Sequence, residues 1–129
     1  MIHIKLTSVM VDEQAAALEF YTKILGFIKK TDIPDIGWLT VVSPRSPEVE
    51  LLLEPAASRP AQVYRKALIE AGTPWTAFAV DDLQQEYERM KGLGVSFRTK
   101  PTAMGNATIA VFDDTCGNLI QLYQTKQAR

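Results

Sequence analysis

The sequence holds a single cysteine, Cys116. One thiol cannot form an internal disulfide, so a stapled secreted scaffold is excluded and a reducing compartment fits. A cytoplasmic location is therefore expected. Long apolar runs are missing as well: no stretch approaches the roughly 20 residues of a membrane-spanning helix. The opening Met1-Ile2-His3-Ile4-Lys5 alternates and soon reaches Asp12 and Glu13, without the apolar centre of a signal peptide. No membrane partner is expected. An excess of positive charge is also absent, since 14 Lys and Arg face 15 Asp and Glu for a net charge of -1. That balance gives no sign of a basic stripe, so nucleic acid is not an expected partner. There is no strand–GxGxxG–helix unit to cradle phosphate, and Gly105-Asn106 reads as a plain loop.

What is present is ordinary apolar content, 47% of 129 residues, enough for one soluble domain with a core or two small fused modules. Alternation predicts a strand from Ile2 to Val11. Asp12 is placed to cap a helix in which Ala17, Leu18, Tyr21, Ile24 and Leu25 share a face, and Gly26 ends it. Strands follow at Phe27–Ile33, Gly37–Ser43 and Glu48–Glu54. Ala61–Ala71 is helical in composition, with Pro60 at its start and Gly72 past its end.

The same order then returns. Trp75–Val80 reads as a strand, Asp81-Asp82 precedes a helix marked by Leu83, Tyr87 and Met90, and Gly94 closes it. Val95–Lys100, Ala107–Asp113 and Leu119–Gln124 supply three more strands. Gly117-Asn118 is expected to form a two-residue turn before the last of them. Val11-Asp12 matches Val80-Asp81 at an offset of 69, Phe27 matches Val95 at 68, and Glu50 matches Gln121 at 71. A drift of only a few positions indicates an internal duplication. The organisation expected is one domain, 1–129, made of a first module (1–54), a connector with a helix (55–73) and a second module (74–125).

Three segments carry a family resemblance. They are Asp12-Glu13 through Phe20-Tyr21-Thr22-Lys23-Ile24-Leu25-Gly26-Phe27, then Phe78-Ala79-Val80-Asp81-Asp82-Leu83, then Phe112 through Leu122. Together they resemble the glyoxalase/bleomycin resistance/extradiol dioxygenase superfamily, the vicinal oxygen chelate proteins. The resemblance implies an α+β fold of two tandem βαβββ modules whose mixed sheet curves into a cup. It also implies a homodimer. Family enzymes, lactoylglutathione lyase-like lyases and dioxygenases, place a divalent metal in the cup, whereas the bleomycin-resistance type sequesters drugs without chemistry.

Carried onto this sequence, the family's four metal-ligand positions fall on Leu6, Glu50, Trp75 and Gln121. Leucine has no lone pair and indole only donates a hydrogen bond. No metal and no cofactor are therefore expected, and a small, partly apolar ligand is the expected partner. Its walls would be Leu6, Ser8, Met10, Trp38, Trp75, Gln121 and Tyr123. The alternative is an enzyme with a metal in a shifted site, or one in which Glu50 alone is the catalytic base. Burial would disfavour the Glu50 charge unless donors compensate it. His3 falls on the strand face opposite Leu6, and Cys116 has no second cysteine and no nearby histidine in sequence to suggest a reactive thiolate.

Overall fold

The computed structural model describes residues 1–126 as two units, Met1–Tyr64 and Arg65–Arg129 with its last three residues outside the description. The elements run β1 (Leu6–Val11), α1 (Gln14–Glu19), β2 (Ile28–Ile33), β3 (Trp38–Ser43), β4 (Ser46–Pro55), α2 (Arg59–Ala71), β5 (Thr76–Ala79), α3 (Leu83–Gly92), β6 (Phe97–Met104), β7 (Ala107–Asp113) and β8 (Leu119–Thr125). Strand, helix, three strands thus occurs twice. The boundary between the units falls inside α2, the connector helix. Each module makes its own four-stranded mixed sheet.

In the first unit the strand order is β1-β4-β3-β2, with β1 parallel to β4 and the other pairs antiparallel. Alternate residues Val9, Val11, Leu39, Val41, Leu51 and Leu53 are buried, as are Ala17, Phe20 and Tyr21 from the helical segment. Burying one such side chain stabilises by about 1.5–3 kcal/mol over leaving it exposed. The second unit repeats the order as β5-β8-β7-β6. Its buried set includes Leu83 and Met90 of α3 with Ala110, Phe112, Ile120 and Leu122.

The drifting offsets have local causes. After α1 the chain widens into a π-helical turn, Phe20–Ile24, and Gly26 at φ 82° ends it with Phe27 N–H donating to Tyr21 O. In the second unit Gly94 at φ 90° ends α3 with Val95 N–H donating to Met90 O. The first closure spans one residue more, which turns an offset of 69 into 68.

The β3–β4 connection is a tight turn through Pro44 and Arg45, with Ser43 paired to Ser46. Its counterpart between β7 and β8 is a five-residue loop, 114–118, and the added length carries the offset to 71.

That loop corrects the expected two-residue turn at Gly117-Asn118. Asp114 is fully buried and its Oδ1 accepts from Cys116 N–H (2.8 Å) and Asn118 N–H (3.0 Å), while Oδ2 accepts from Asn118 Nδ2 (3.0 Å). Arg65 donates to Cys116 O at 2.5 Å. A carboxylate that satisfies successive backbone donors fixes a wider loop than a Gly-Asn pair alone would. The two-residue hairpin turn is instead Gly105-Asn106, where Met104 pairs with Ala107 and Gly105 has φ 58°. Asp82 caps α3, accepting from Gln85 N–H at 3.1 Å. The residue at the start of α1 is Glu13 rather than Asp12, with no side-chain cap bond. No helix of the described residues is long and apolar enough to cross a membrane.

Candidate functional site

The first sheet turns Leu6, Ser8 and Met10 of β1 to the same face as Glu50, Leu52 and Glu54 of β4, because parallel register sets Leu6 beside Glu50, Ser8 beside Leu52 and Met10 beside Glu54. Trp38 and Thr40 of β3 join that face, Thr40 opposite Leu52. An open groove of about 700 Å³ lies there. Leu6, Ser8, Trp38, Leu52 and Pro55 line it, and Glu54 is the one ionisable side chain in its wall. Ile36 and Gly37 make one rim. They belong to a 3₁₀ turn, Pro34–Ile36, closed by Gly37 at φ 65°.

That rim is tied down by Gln14 at the start of α1. Its Nε2 donates to Gly37 O and to Leu53 O, each at 2.7 Å. One amide uses both its hydrogens to hold the turn against β4.

Beyond the groove on the same face stands Glu50. Its Oε1 accepts from Thr40 Oγ1 at 2.6 Å and Thr31 Oγ1 at 3.1 Å, and Thr40 Oγ1 in turn accepts from Thr31 N–H at 3.1 Å. Thr40 is fully buried. The backbone amide, the hydroxyl and the carboxylate form one polarised chain. The carboxyl is held below its ordinary range, first by the Thr40 hydrogen bond, with Thr31 and the charges of Lys30 and Lys5 adding to it and burial opposing. Donors outweigh burial here, so Glu50 is anionic at neutral pH. A lowered carboxylate is a weaker base, not a stronger one.

Of the residues expected from sequence, Leu6, Ser8 and Trp38 are brought together in the groove. Glu50 and Met10 share its sheet face without lining it. The other three lie in the second unit. Gln121 sits between Ala77 and Val111, and Tyr123 between Ala79 and Ile109. Trp75 precedes β5 and donates its N–H to Leu119 O at 2.8 Å.

This register separates two ways of counting. From the helix starts, Glu13 and Asp82, Leu6 corresponds to Trp75. From the sheets, Leu6 is beside Glu50 and Ala77 is beside Gln121. The two answers differ by two residues, so Trp75 does not stand to Gln121 as Leu6 stands to Glu50.

Sequence reasoning missed Thr31, Thr40, Glu54 and Gln14. Thr40 left a signal, a lone polar residue in Trp38-Leu39-Thr40-Val41-Val42 with the strand parity of the site. Glu54 left a weaker one, the parity of Glu50 on the same strand.

Comparison with known proteins matches residues 3–122 to the Glyoxalase/Bleomycin resistance protein/Dioxygenase superfamily. The chain belongs to that superfamily. The uncharacterized protein YurT of Bacillus subtilis (strain 168) is 54% identical over 124 residues, covering 94% of this chain and 98% of that protein. Among solved structures, UcmS2 has a TM-score of 0.82 at 28% identity, covering 95% of this chain and 98% of its own. TnmS3, an antibiotic binding protein from Streptomyces sp. CB03234, has a TM-score of 0.74 at 26% identity, covering 98% of both chains. The α+β arrangement of two four-stranded sheets is thus the glyoxalase-like fold.

The four positions onto which the resemblance carries the metal ligands hold a leucine, a glutamate bound to two threonines, an indole and an amide, and the sheet register puts Ala77 rather than Trp75 beside Gln121. Among the described residues no three His, Cys, Asp or Glu side chains cluster as a metal site requires. His3 reaches only Met1 O, at 3.5 Å, and Cys116 is buried in its loop. Such a donor set does not fit the divalent ion used by the family's enzymes.

Proposed function

We propose that this superfamily member is a metal-independent binding protein for a small, partly apolar molecule held in the groove of its first unit. The groove carries the reading: apolar walls from Leu6, Trp38, Leu52 and Pro55, with a few polar groups at the edge, are the ordinary make-up of a small-molecule site. The likeness to TnmS3, an antibiotic binding protein, supports an antibiotic-like ligand. Glu50 acts in this proposal as a fixed acceptor, because two threonines hold it in its anionic form. The proposal includes a homodimer, since each sheet leaves strands at its edges and Leu6, Ile28 and Ile33 are exposed, and a cytoplasmic location, which fits the single cysteine.

The test pairs elemental analysis of the purified protein with binding of bleomycin and a panel of flat aromatic antibiotics. Binding is read by Trp38 emission against a Trp38→Phe control. Saturable quenching that depends on Trp38, in protein free of stoichiometric metal, is the expected result. One tightly held divalent ion per chain would overturn it, as would a panel that never perturbs Trp38. Light scattering at micromolar concentration tests the dimer.

A further inference from the structure

Resting on that binding reading and deepening it, we infer that the groove selects a small organic cation: an apolar or aromatic body carrying one positive group that Glu54 accepts. Three observations carry this. Glu54 is the only ionisable side chain among the lining residues, so the groove has one sign of charge and no cation of its own to neutralise it. No salt bridge engages Glu54 among the described residues, whereas Glu19, Asp32 and Glu86 each have a basic partner. Trp38, in the same wall, presents the kind of aromatic surface that attracts a cation.

The surrounding charges agree. Glu50 shares the strand and the face with Glu54, four residues along β4, or roughly 13 Å at strand spacing. It adds a second negative charge beyond one end of the groove. The basic side chains that act on this face, Lys5 and Lys30, act on Glu50 and do not line the groove. An anionic ligand would meet the Glu54 carboxylate with nothing opposite in sign. A neutral one would desolvate that carboxylate without returning an ion pair. A cation alone satisfies both the carboxylate and the indole.

The experiment uses three probes that share one ring system and differ in charge: 1-naphthylmethylamine, 1-naphthalenemethanol and 1-naphthoate. Calorimetry on the full-length protein at low salt gives each affinity. The amine is expected to bind about fivefold tighter than the alcohol, the size of a partly exposed ion pair with a cation–π contribution. The acid is expected to bind weakest. Glu54→Gln should bring the amine and the alcohol to equal affinity. Added salt should erode the amine's advantage in the wild type. If amine and alcohol bind alike, or if the preference survives in Glu54→Gln, the cation inference falls while the groove remains a binding site. If none of the three binds, the binding proposal itself falls and takes this inference with it.

Discussion

Glu50 and Gln121 occupy matching places in two sheets of the same strand order, each opposite a valine, Val42 in one case and Val111 in the other. Around Glu50, Thr40 and Thr31 supply hydroxyl donors. At the matching places around Gln121 stand Ile109, which offers none, and Thr102, whose hydroxyl donates to Lys100 O at 2.8 Å. Gln121 makes no side-chain hydrogen bond among the described residues. The difference teaches that duplicated backbones do not carry duplicated chemistry. The charge persists where a buried polar neighbour persists, and a neutral amide stands where the neighbour is aliphatic. The connections differ in the opposite sense. The first unit closes β3–β4 with an exposed turn in which Ser43 Oγ accepts from Arg45 N–H, while the second buries a carboxylate in its loop.

The largest expected effect breaks the second of these contrasts. Asp114→Ala removes the acceptor for two backbone N–H groups and the Asn118 amide, at a cost of about 3–5 kcal/mol. Ser43→Ala, in the matching turn, should cost less than about 0.5 kcal/mol. Urea unfolding of both variants checks the ratio; equal losses would erase the contrast.

Next is Thr40→Val, which keeps the shape, deletes the donor to Glu50 and leaves Thr31 N–H without its acceptor. A loss of about 1–3 kcal/mol is expected, with the Glu50 carboxyl moving up towards its ordinary range. Carbon-detected NMR titration reads the second effect directly.

The comparison is sharpened by building the first unit's chemistry into the second. Gln121→Glu alone puts a carboxylate between Val111 and Ala77 without a threonine donor, so it should titrate higher than Glu50 does. Adding Ile109→Thr should lower it, since that hydroxyl occupies the place of Thr40. If the second change leaves the titration where it was, the correspondence of Ile109 with Thr40 is wrong.

The smallest effect concerns pH. The Glu50 carboxyl is lowered in the folded protein, so its stabilisation is complete above the ordinary carboxylate range and is lost as pH falls through the folded value. Wild type should therefore lose more stability than Glu50→Gln between about pH 5 and pH 3, and the two should run parallel above about pH 6. Thermal melts across that range decide it.

Periodicity made both βαβββ units legible in advance, because helical faces such as Ala17-Tyr21-Ile24 and alternating strands such as Ala107–Asp113 leave patterns that local physics enforces. The 3₁₀ turn at Pro34–Ile36 and the π-helical turn left no such pattern, and the one extra residue of the latter showed only as a shifted offset. Turn chemistry misled at Gly117-Asn118, where buried Asp114 outweighs the dipeptide. Only part of the groove was legible, namely Leu6, Ser8 and Trp38 of its ten lining residues. Glu54 left only the parity of Glu50, and Gln14 left nothing, because their parts depend on which elements lie side by side. The same cause hid Ala77: counting along one chain from a helix start cannot supply the register of a parallel neighbour 44 residues away in sequence.

The Gln14 clamp has an evolutionary corollary. The Ile36–Gly37 rim belongs to no strand, and a single amide anchors it to β4 through two backbone oxygens. A change at Gln14 would remove both of these bonds without deleting any strand-pairing hydrogen bond. Selection on ligand size could then act on a position that does not itself line the groove.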